Sequence, residues 1–167
     1  MSLPIAAVGA VLISLLETSV IPGLLGGGVK PDLVLVVAVA AAIIIGVEDG
    51  LMWAFLGGLM LDMLLPGRPL GATTFALLVV IGLAVVAARL LPQSPTLLAI
   101  GAVFGLSFLF QMLLAALLSA TAGVELLPQP ASSFLPIAIT NTLVALVLAP
   151  IARMLIRRFG PQERMSW

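Results

Sequence analysis

Five charged residues in the first half of the 167-residue chain stand out, because they interrupt long apolar stretches. Carboxylates and cations in such surroundings can pair with one another, relay protons or ions across a membrane, or contact a partner protein. Each of these roles requires that the helices carrying the charges bring them to a common depth. The five residues are Glu17, Lys30, Asp32, Asp62 and Arg68.

The composition indicates a membrane protein. Hydrophobic residues make up 62% of the chain and charged residues 8%, whereas a soluble domain carries about 25% charged residues. The zero net charge argues against nucleic-acid binding through a basic surface. The chain contains no Cys, His or Tyr, which removes disulfides, thiolate nucleophiles and the commonest metal ligand. We therefore expect a non-enzymatic protein without a metal or a cofactor.

Six apolar segments separated by Gly- and Pro-rich breaks predict six transmembrane helices. Joining the second and third segments would give a helix about 50 Å long in a hydrocarbon core of about 30 Å. It would also bury Glu48 and Asp49 near its middle, so two short helices with a tight turn are favoured. The prediction is an all-α, polytopic membrane helical bundle that forms a single integral-membrane domain over residues 1–167. The predicted spans are 3–20, 32–47, 51–65, 70–91, 96–122 and 134–156.

Arginines between and after the spans predict the orientation, because positive residues stay in the cytoplasm. With both termini inside, five arginines are cytoplasmic and only Lys30 and Arg68 lie outside. Trp53 then falls at the cytoplasmic start of the third span, where an interfacial aromatic anchor is expected. The five cytoplasmic arginines are Arg89, Arg153, Arg157, Arg158 and Arg164.

This orientation places the five charged residues named first near the outer face, and we call them the polar clasp. Asp62 lies about 5 Å inside the hydrocarbon boundary, where Lys30, Arg68 or backbone donors of the turn 66–71 could satisfy its carboxylate. The clasp could tie helix ends together, dock a partner, or relay protons or ions. Among the deeper polar residues, Gln111 and Asn141 are the best candidates for lining a small-molecule pocket.

Two pairs of small residues mark helix faces that permit close approach of another helix. Ala6 and Ala10 lie one turn apart in the first span, and Gly101 and Gly105 do so in the fifth. Each pair could pack inside the bundle or against a partner helix.

The basic end of the chain predicts a cytoplasmic contact zone. Arg153 lies near the end of the sixth span, and Arg157 and Arg158 begin a basic cytoplasmic tail over residues 157–167. Arginines in this position attract anionic lipid headgroups, provide the topology signal, or contact a cytoplasmic partner.

The stretch from Val29 to Gly71 resembles the MreD family of bacterial rod shape-determining membrane proteins. The resemblance consists of Lys30-Pro31-Asp32 before an apolar helix, a tight turn, Gly57-Gly58 and Asp62, and finally Pro66-Gly67-Arg68-Pro69-Leu70-Gly71. The chain departs from the family at Glu48-Asp49, where family members often carry basic residues. The motif positions outside the clasp are Pro31, Gly57, Gly58, Pro66 and Gly71.

The resemblance implies a non-enzymatic component of the cell-elongation machinery in the bacterial cytoplasmic membrane, with a role in peptidoglycan synthesis and cell shape. It implies direct binding to an MreC-like partner. Through that partner it implies contact with a RodA-type glycosyltransferase, a class B penicillin-binding protein and the MreB filament. It also implies a fold like that of the S-components of energy-coupling-factor transporters. A vitamin-type S-component is the alternative function, favoured by chain size, six spans and the Ala6/Ala10 pair.

Overall fold

The computed structural model of the chain describes residues 3–25, 29–90, 94–122 and 134–159. Within these ranges the chain forms six helices and no strand, which confirms the all-α prediction. The first helix, α1, is α-helical over Leu3–Leu15, π-helical over Leu16–Val20 and α-helical again over Ile21–Leu25. The others are α2 (Leu33–Ile44), α3 (Val47–Leu64), α4 (Ala72–Leu90), α5 (Pro95–Ala122) and α6 (Phe134–Phe159).

Four of the six helices are long and apolar enough to cross a membrane. Helix α2 is apolar but only 12 residues long, which corresponds to about 18 Å. Helix α3 has 18 residues and carries three carboxylates, Glu48, Asp49 and Asp62. The structure thus supports four of the predicted spans, and the crossings by α2 and α3 stay predictions. The four apolar segments are Ala6–Gly23, Ala72–Leu90, Pro95–Thr121 and Phe134–Met154.

Helix α2 occupies the centre of the bundle and contacts each of the other five helices. Eight of its twelve residues are buried, and its sequence is apolar on every side, as expected for a helix enclosed by protein. Around it, helices that are consecutive in the chain pack against one another. The clasp residues all lie close to α2 in the sequence or the fold: Lys30 and Asp32 directly precede it, and the other three lie on or next to helices that pack against it.

The connection between α2 and α3 is tighter than the sequence predicts. Helix α3 begins at Val47, so Glu48 and Asp49 lie in its first turn rather than in the turn between the helices. Acidic residues are favourable there because the N-terminus of a helix carries a partial positive charge. The chain reverses at Ile45 and Gly46, whose N–H groups both donate to the carbonyl oxygen of Ala41, at 2.9 and 3.0 Å.

Glycines let α3 approach its neighbours to backbone distance. A Cβ added at Gly50 would meet the backbone of Ala42 in α2, and one added at Gly57 would meet the side chain of Val34. A Cβ at Gly58 would lie 2.6 Å from the Cα of Thr74 in α4, closer than side chains allow. Gly57 and Gly58 therefore hold α2, α3 and α4 in close contact.

The predicted interfacial role of Trp53 is wrong. Its side chain is only 8% exposed, and its ring occupies the space where a side chain at Gly9 would lie. Because Gly9 leaves room between α1 and α3, the indole packs between these two helices instead of reaching the membrane surface.

Candidate functional site

The structure gathers four polar clasp residues around one cavity at the end of the bundle where α1, α3 and α5 finish. We call this end the clasp end. Glu17 comes from α1, Lys30 and Asp32 precede α2, and Arg68 lies in the loop between α3 and α4. The cavity has a volume of about 560 Å³ and is lined by all four residues. The fifth clasp residue, Asp62, is buried beside it in the last turn of α3.

Asp62 caps the N-terminus of α4. Its Oδ2 atom accepts hydrogen bonds from the backbone N–H groups of Gly71 at 3.0 Å and Thr74 at 3.2 Å, and from the Thr74 hydroxyl at 3.0 Å. Its Oδ1 atom accepts from the N–H of Thr73 at 3.0 Å. Gly71 has a φ of 94°, which favours glycine at this turn. Three backbone N–H groups and one hydroxyl thus supply the hydrogen bonds that the buried carboxylate requires. Its negative charge is also favourable next to the partial positive charge of the helix N-terminus.

Glu17 accepts a hydrogen bond from the N-terminus of the central helix, α2, as Asp62 does for α4. Its Oε2 atom accepts a hydrogen bond of 2.9 Å from the backbone N–H of Val34, in the first turn of α2. Glu17 lies in the π-helical turn of α1, where the hydroxyl of Thr18 donates to the carbonyl oxygen of Ser14 at 2.8 Å. Single π turns are frequent at functional sites, and this one carries the carboxylate that reaches α2.

Asp32 connects α2 to α5 and α6. Its Oδ2 atom accepts from the side-chain amides of Gln111 at 2.7 Å and Asn141 at 3.1 Å. Its backbone N–H donates to Oδ1 of Asn141 at 2.7 Å. The Asn141 amide also donates to the hydroxyl of Ser107 at 3.0 Å. Asn141 is fully buried, and its side chain makes three hydrogen bonds: two donations and one acceptance.

Replacing Asn141 with Leu is expected to lower the free energy of unfolding by about 2 kcal/mol. The substitution leaves the Asp32 N–H without its acceptor and removes one donor each from the Asp32 carboxylate and the Ser107 hydroxyl, which keeps its bond to the carbonyl oxygen of Val103. Thermal unfolding in a mild detergent measures the effect. Thr142→Val is the matched control, because the Thr142 hydroxyl donates only to the carbonyl oxygen of Ala138 in its own helix. Equal melting temperatures for both variants would contradict the assigned role.

The two cations of the clasp have few partners. One guanidinium nitrogen of Arg68, Nη1, donates to the hydroxyl of Thr73 at 3.2 Å. Arg68 also acts electrostatically on Glu17 and Asp32, but in the described part of the chain it forms an ion pair with neither. The Lys30 side chain is exposed at the edge of the cavity. The clasp therefore keeps its positive and negative groups apart.

The other motif and polar predictions have mixed outcomes. Pro31 is buried and lines the cavity, whereas Pro66 is exposed in the loop after α3. Gln111 lines the cavity, while Asn141 lies behind Asp32.

Sequence reasoning missed Thr73 and Thr74 as partners of Asp62. Their position just after Gly71, at the start of a helix, was an available signal, because helix N-termini require acceptors for their N–H groups.

A second feature is an apolar groove on the surface of the bundle. It lies between α1 and α6, with the first half of α2 beneath it, and has a volume of about 550 Å³. Leu16 and Leu33, which line its end, are the neighbours in sequence of Glu17 and Asp32, so the groove leads to the clasp end. The lining residues are Ile13, Leu16, Leu33, Val37, Thr140, Leu143, Val144, Val147 and Leu148.

The two pairs of small residues have different surroundings. Ala6 and Ala10 are fully buried, so they pack inside the bundle. Gly101 and Gly105 are exposed, and a Cβ added at either would meet no atom within 4 Å. The Gly101/Gly105 face of α5 is therefore open to membrane lipid or to another helix.

The basic end of α6 is described only in part. Arg153 lies at the end of the bundle opposite the clasp, where its Nη1 atom donates to the hydroxyl of Thr96 at 3.1 Å. The side chains of Arg157 and Arg158 and the tail from residue 160 onward lie outside the described residues. The predicted contact of these arginines with lipid or a partner stays a prediction.

The arrangement is suited to holding helices and binding ligands or partners. Its carboxylates accept hydrogen bonds from N–H groups of neighbouring helices, and the residues described here contain no group of three or more Asp and Glu side chains placed to hold a metal ion. Polar contacts of this kind fix helix positions in a membrane protein, where no water competes for them.

Comparison with known proteins identifies the family. Neither a curated protein nor a solved structure matches the chain. The likeness to the S-component fold accordingly stays a prediction, and the transporter alternative has no support. The family model described as rod shape-determining protein MreD matches residues 5–159, a range that contains both the clasp and the groove. Because the matched range covers nearly the whole length of the chain, this chain belongs to the MreD family.

Proposed function

We propose that this protein is a non-enzymatic membrane scaffold of the bacterial cell-elongation complex, which binds a single-pass MreC-like partner and thereby supports peptidoglycan synthesis and rod shape. Membership of the MreD family carries the general role in rod shape determination. The observation that supports partner binding is the apolar groove between α1 and α6, because it offers a place for one further helix.

The groove has the dimensions and chemistry that a transmembrane helix requires. Its α6 side extends from Thr140 to Leu148, which is about 12 Å or two helical turns. All but one of its lining residues are Leu, Ile or Val, so a partner helix would gain van der Waals contacts that flexible lipid chains fill less well. Val37 of the central helix is only partly buried by α1 and α6, which leaves contact area for the partner.

The position of the groove relative to the clasp gives the partner an orientation. A helix lying in the groove would leave the membrane next to Glu17 and Asp32, close to the exposed Lys30. In this proposal the clasp end faces the periplasm and holds the partner's juxtamembrane segment. Both termini of the scaffold lie in the cytoplasm, and the arginines at the end of α6 contact lipid headgroups.

The remaining partners in the proposal are indirect. A RodA-type glycosyltransferase, a class B penicillin-binding protein and the MreB filament associate through the MreC-like protein. The family membership supports this set of partners, and the scaffold itself supplies helix faces and short loops for the complex.

Co-purification with the MreC-like protein tests the proposal. Val147 lines the groove and is 58% exposed, so Val147→Trp fills the groove without displacing a buried neighbour. We expect this variant to retain about ten-fold less partner than the unmodified chain, because overpacking an interface costs about 1–3 kcal/mol. Leu146→Trp is the matched control: Leu146 is the adjacent residue, is 55% exposed and does not line the groove.

Two outcomes would contradict the proposal. Loss of the partner in Leu146→Trp or Gly105→Leu, with retention in Val147→Trp, would place the partner on another face of the bundle. Absence of association for the unmodified chain, in a detergent in which it unfolds cooperatively at an elevated temperature, would contradict partner binding itself.

A further inference from the structure

The cavity at the clasp end has the size and lining of a ligand site. Its volume of about 560 Å³ lies within the range of about 300–1,000 Å³ that is usual for small-ligand pockets. Apolar side chains, including Leu77 and Phe110, form part of its wall, and Glu17, Asp32, Lys30 and Arg68 form the charged part. Binding at this cavity requires no partner helix and is independent of the groove.

The charged groups of the cavity retain unused hydrogen-bonding capacity. In the described structure Asp32 accepts through Oδ2 alone, so its Oδ1 has no hydrogen-bond donor, whereas Glu17 accepts from the backbone N–H groups of Val34 and Leu33. Arg68 uses only Nη1, toward Thr73. No buried side-chain nitrogen or oxygen of the described residues lacks a hydrogen-bond partner, so the unused atoms of Asp32 and Arg68 are accessible and can bind a ligand with matching groups.

The charges of these side chains restrict which kinds of ligand the cavity can bind. The cavity lining holds two carboxylates, one guanidinium and one ammonium, and the guanidinium is not paired with either carboxylate. A simple anion would be repelled by Glu17 and Asp32, and a simple cation by Arg68 and Lys30. A molecule that carries both a cation and an anion satisfies both sets of groups.

We propose that this cavity binds a phosphoethanolamine group, with its primary ammonium on Glu17 and Asp32 and its phosphate on Arg68 and Lys30. The Oδ1 atom of Asp32, which has no donor, requires an N–H group, which a primary ammonium provides and a trimethylammonium lacks. Arginine and lysine are the usual partners of phosphate. The group can come from phosphatidylethanolamine or from a soluble phosphoethanolamine, and its depth at the ends of the spans suits a lipid headgroup.

Native mass spectrometry of the full chain tests the site. The detergent-purified protein is mixed with equal amounts of phosphatidylethanolamine, phosphatidylcholine and phosphatidylglycerol that share the same acyl chains. We expect phosphatidylethanolamine to be retained about ten-fold more than either of the other two lipids. Phosphatidylcholine has no N–H groups on its ammonium, and phosphatidylglycerol has no ammonium, so neither can donate charge-assisted hydrogen bonds to the carboxylates. A parallel sample with soluble phosphoethanolamine distinguishes the two sources, because displacement of the lipid at millimolar concentration shows that the group alone suffices.

Arg68→Gln is expected to lower phosphatidylethanolamine retention about ten-fold. Arg89→Gln is the matched control, because Arg89 lies in the last turn of α4 at the other end of the bundle. If Arg68→Gln fails to fold, Lys30→Gln provides the test, since the Lys30 side chain is exposed and makes no hydrogen bond in the described structure. Equal retention of the three lipids, or unchanged retention in a folded Arg68→Gln or Lys30→Gln variant, would overturn the proposal.

Discussion

Replacing Asp62 with Leu is expected to lower the free energy of unfolding by about 4 kcal/mol. The carboxylate accepts four hydrogen bonds, three of them from backbone N–H groups at the start of α4. Leu cannot accept any of them, and the donors would then face a buried, apolar environment, because Asp62 is only 4% exposed. The midpoint of thermal or denaturant-induced unfolding in detergent measures the change.

Asp62→Asn separates capping from charge. Asparagine keeps one side-chain oxygen and can accept from one or two of the same donors, so a loss of about 1–2 kcal/mol is expected. The order of stability should be unmodified chain, Asp62→Asn, Asp62→Leu. An Asp62→Leu protein as stable as the unmodified chain would show that the carboxylate is dispensable for the bundle and would contradict its role as a cap.

The second large effect is expected at Gly58. Replacing it with Leu should lower the free energy of unfolding by about 3 kcal/mol, because the new Cβ would lie 2.6 Å from Cα and 3.0 Å from N of Thr74. These are backbone atoms and cannot rotate away, so α3 and α4 must separate. That movement also draws Asp62, one turn further along α3, away from the N-terminus it caps.

Gly82→Leu is the matched control for Gly58. Gly82 lies in α4, and an added Cβ would meet no atom within 4 Å, so the unfolding free energy should change by less than about 1 kcal/mol, or rise through better helix propensity. The unfolding midpoints of Gly58→Leu, Gly82→Leu and the unmodified chain, measured under the same conditions, test this expectation. Comparable losses at both positions would show that the cost comes from replacing glycine and not from the contact between α3 and α4.

Much of the fold could be predicted from the sequence because its signals are local. Apolar length and Gly- or Pro-rich breaks identify the helices, and the structure differs mainly at their ends. Helix α3 begins four residues before the predicted start at residue 51, because Glu48 and Asp49 do not interrupt the helix but stabilise its first turn. The prediction that Trp53 lies at the membrane surface is wrong for a different reason. Its side chain packs in space left by Gly9, which is distant in sequence.

The candidate site could be predicted only in outline. Of the three partners considered for Asp62, the backbone of the turn 66–71 contributes one donor, the N–H of Gly71, while Thr73 and Thr74 supply the other three. The partners of Asp32 were not predicted, because Asn141 lies 109 positions away and nothing in the apolar helices indicates which faces meet. Such helices lack the polar stripe that marks the outer side of a soluble helix. Among the described residues, the few buried polar side chains mark the inner faces instead: Ser14, Asp62, Thr73, Thr74, Ser107 and Asn141.

These features divide the molecule into a packed centre and two contact zones. The centre, around α2, holds the capping carboxylates in place, while the clasp cavity and the groove between α1 and α6 remain accessible. A protein of this kind can contribute to rod shape by positioning other molecules, which is the role proposed here for a member of the MreD family.

Site-specific photo-crosslinking in intact cells tests partner binding in the groove most directly. A photoreactive residue is placed at Val144 or Val147 in the groove, and in separate variants at Leu146 or Gly105 outside it. The proposal predicts a crosslinked product with the MreC-like protein from the two groove positions and none from the two outside positions. Crosslinks from Gly105 or Leu146 without any from Val144 and Val147 would contradict it.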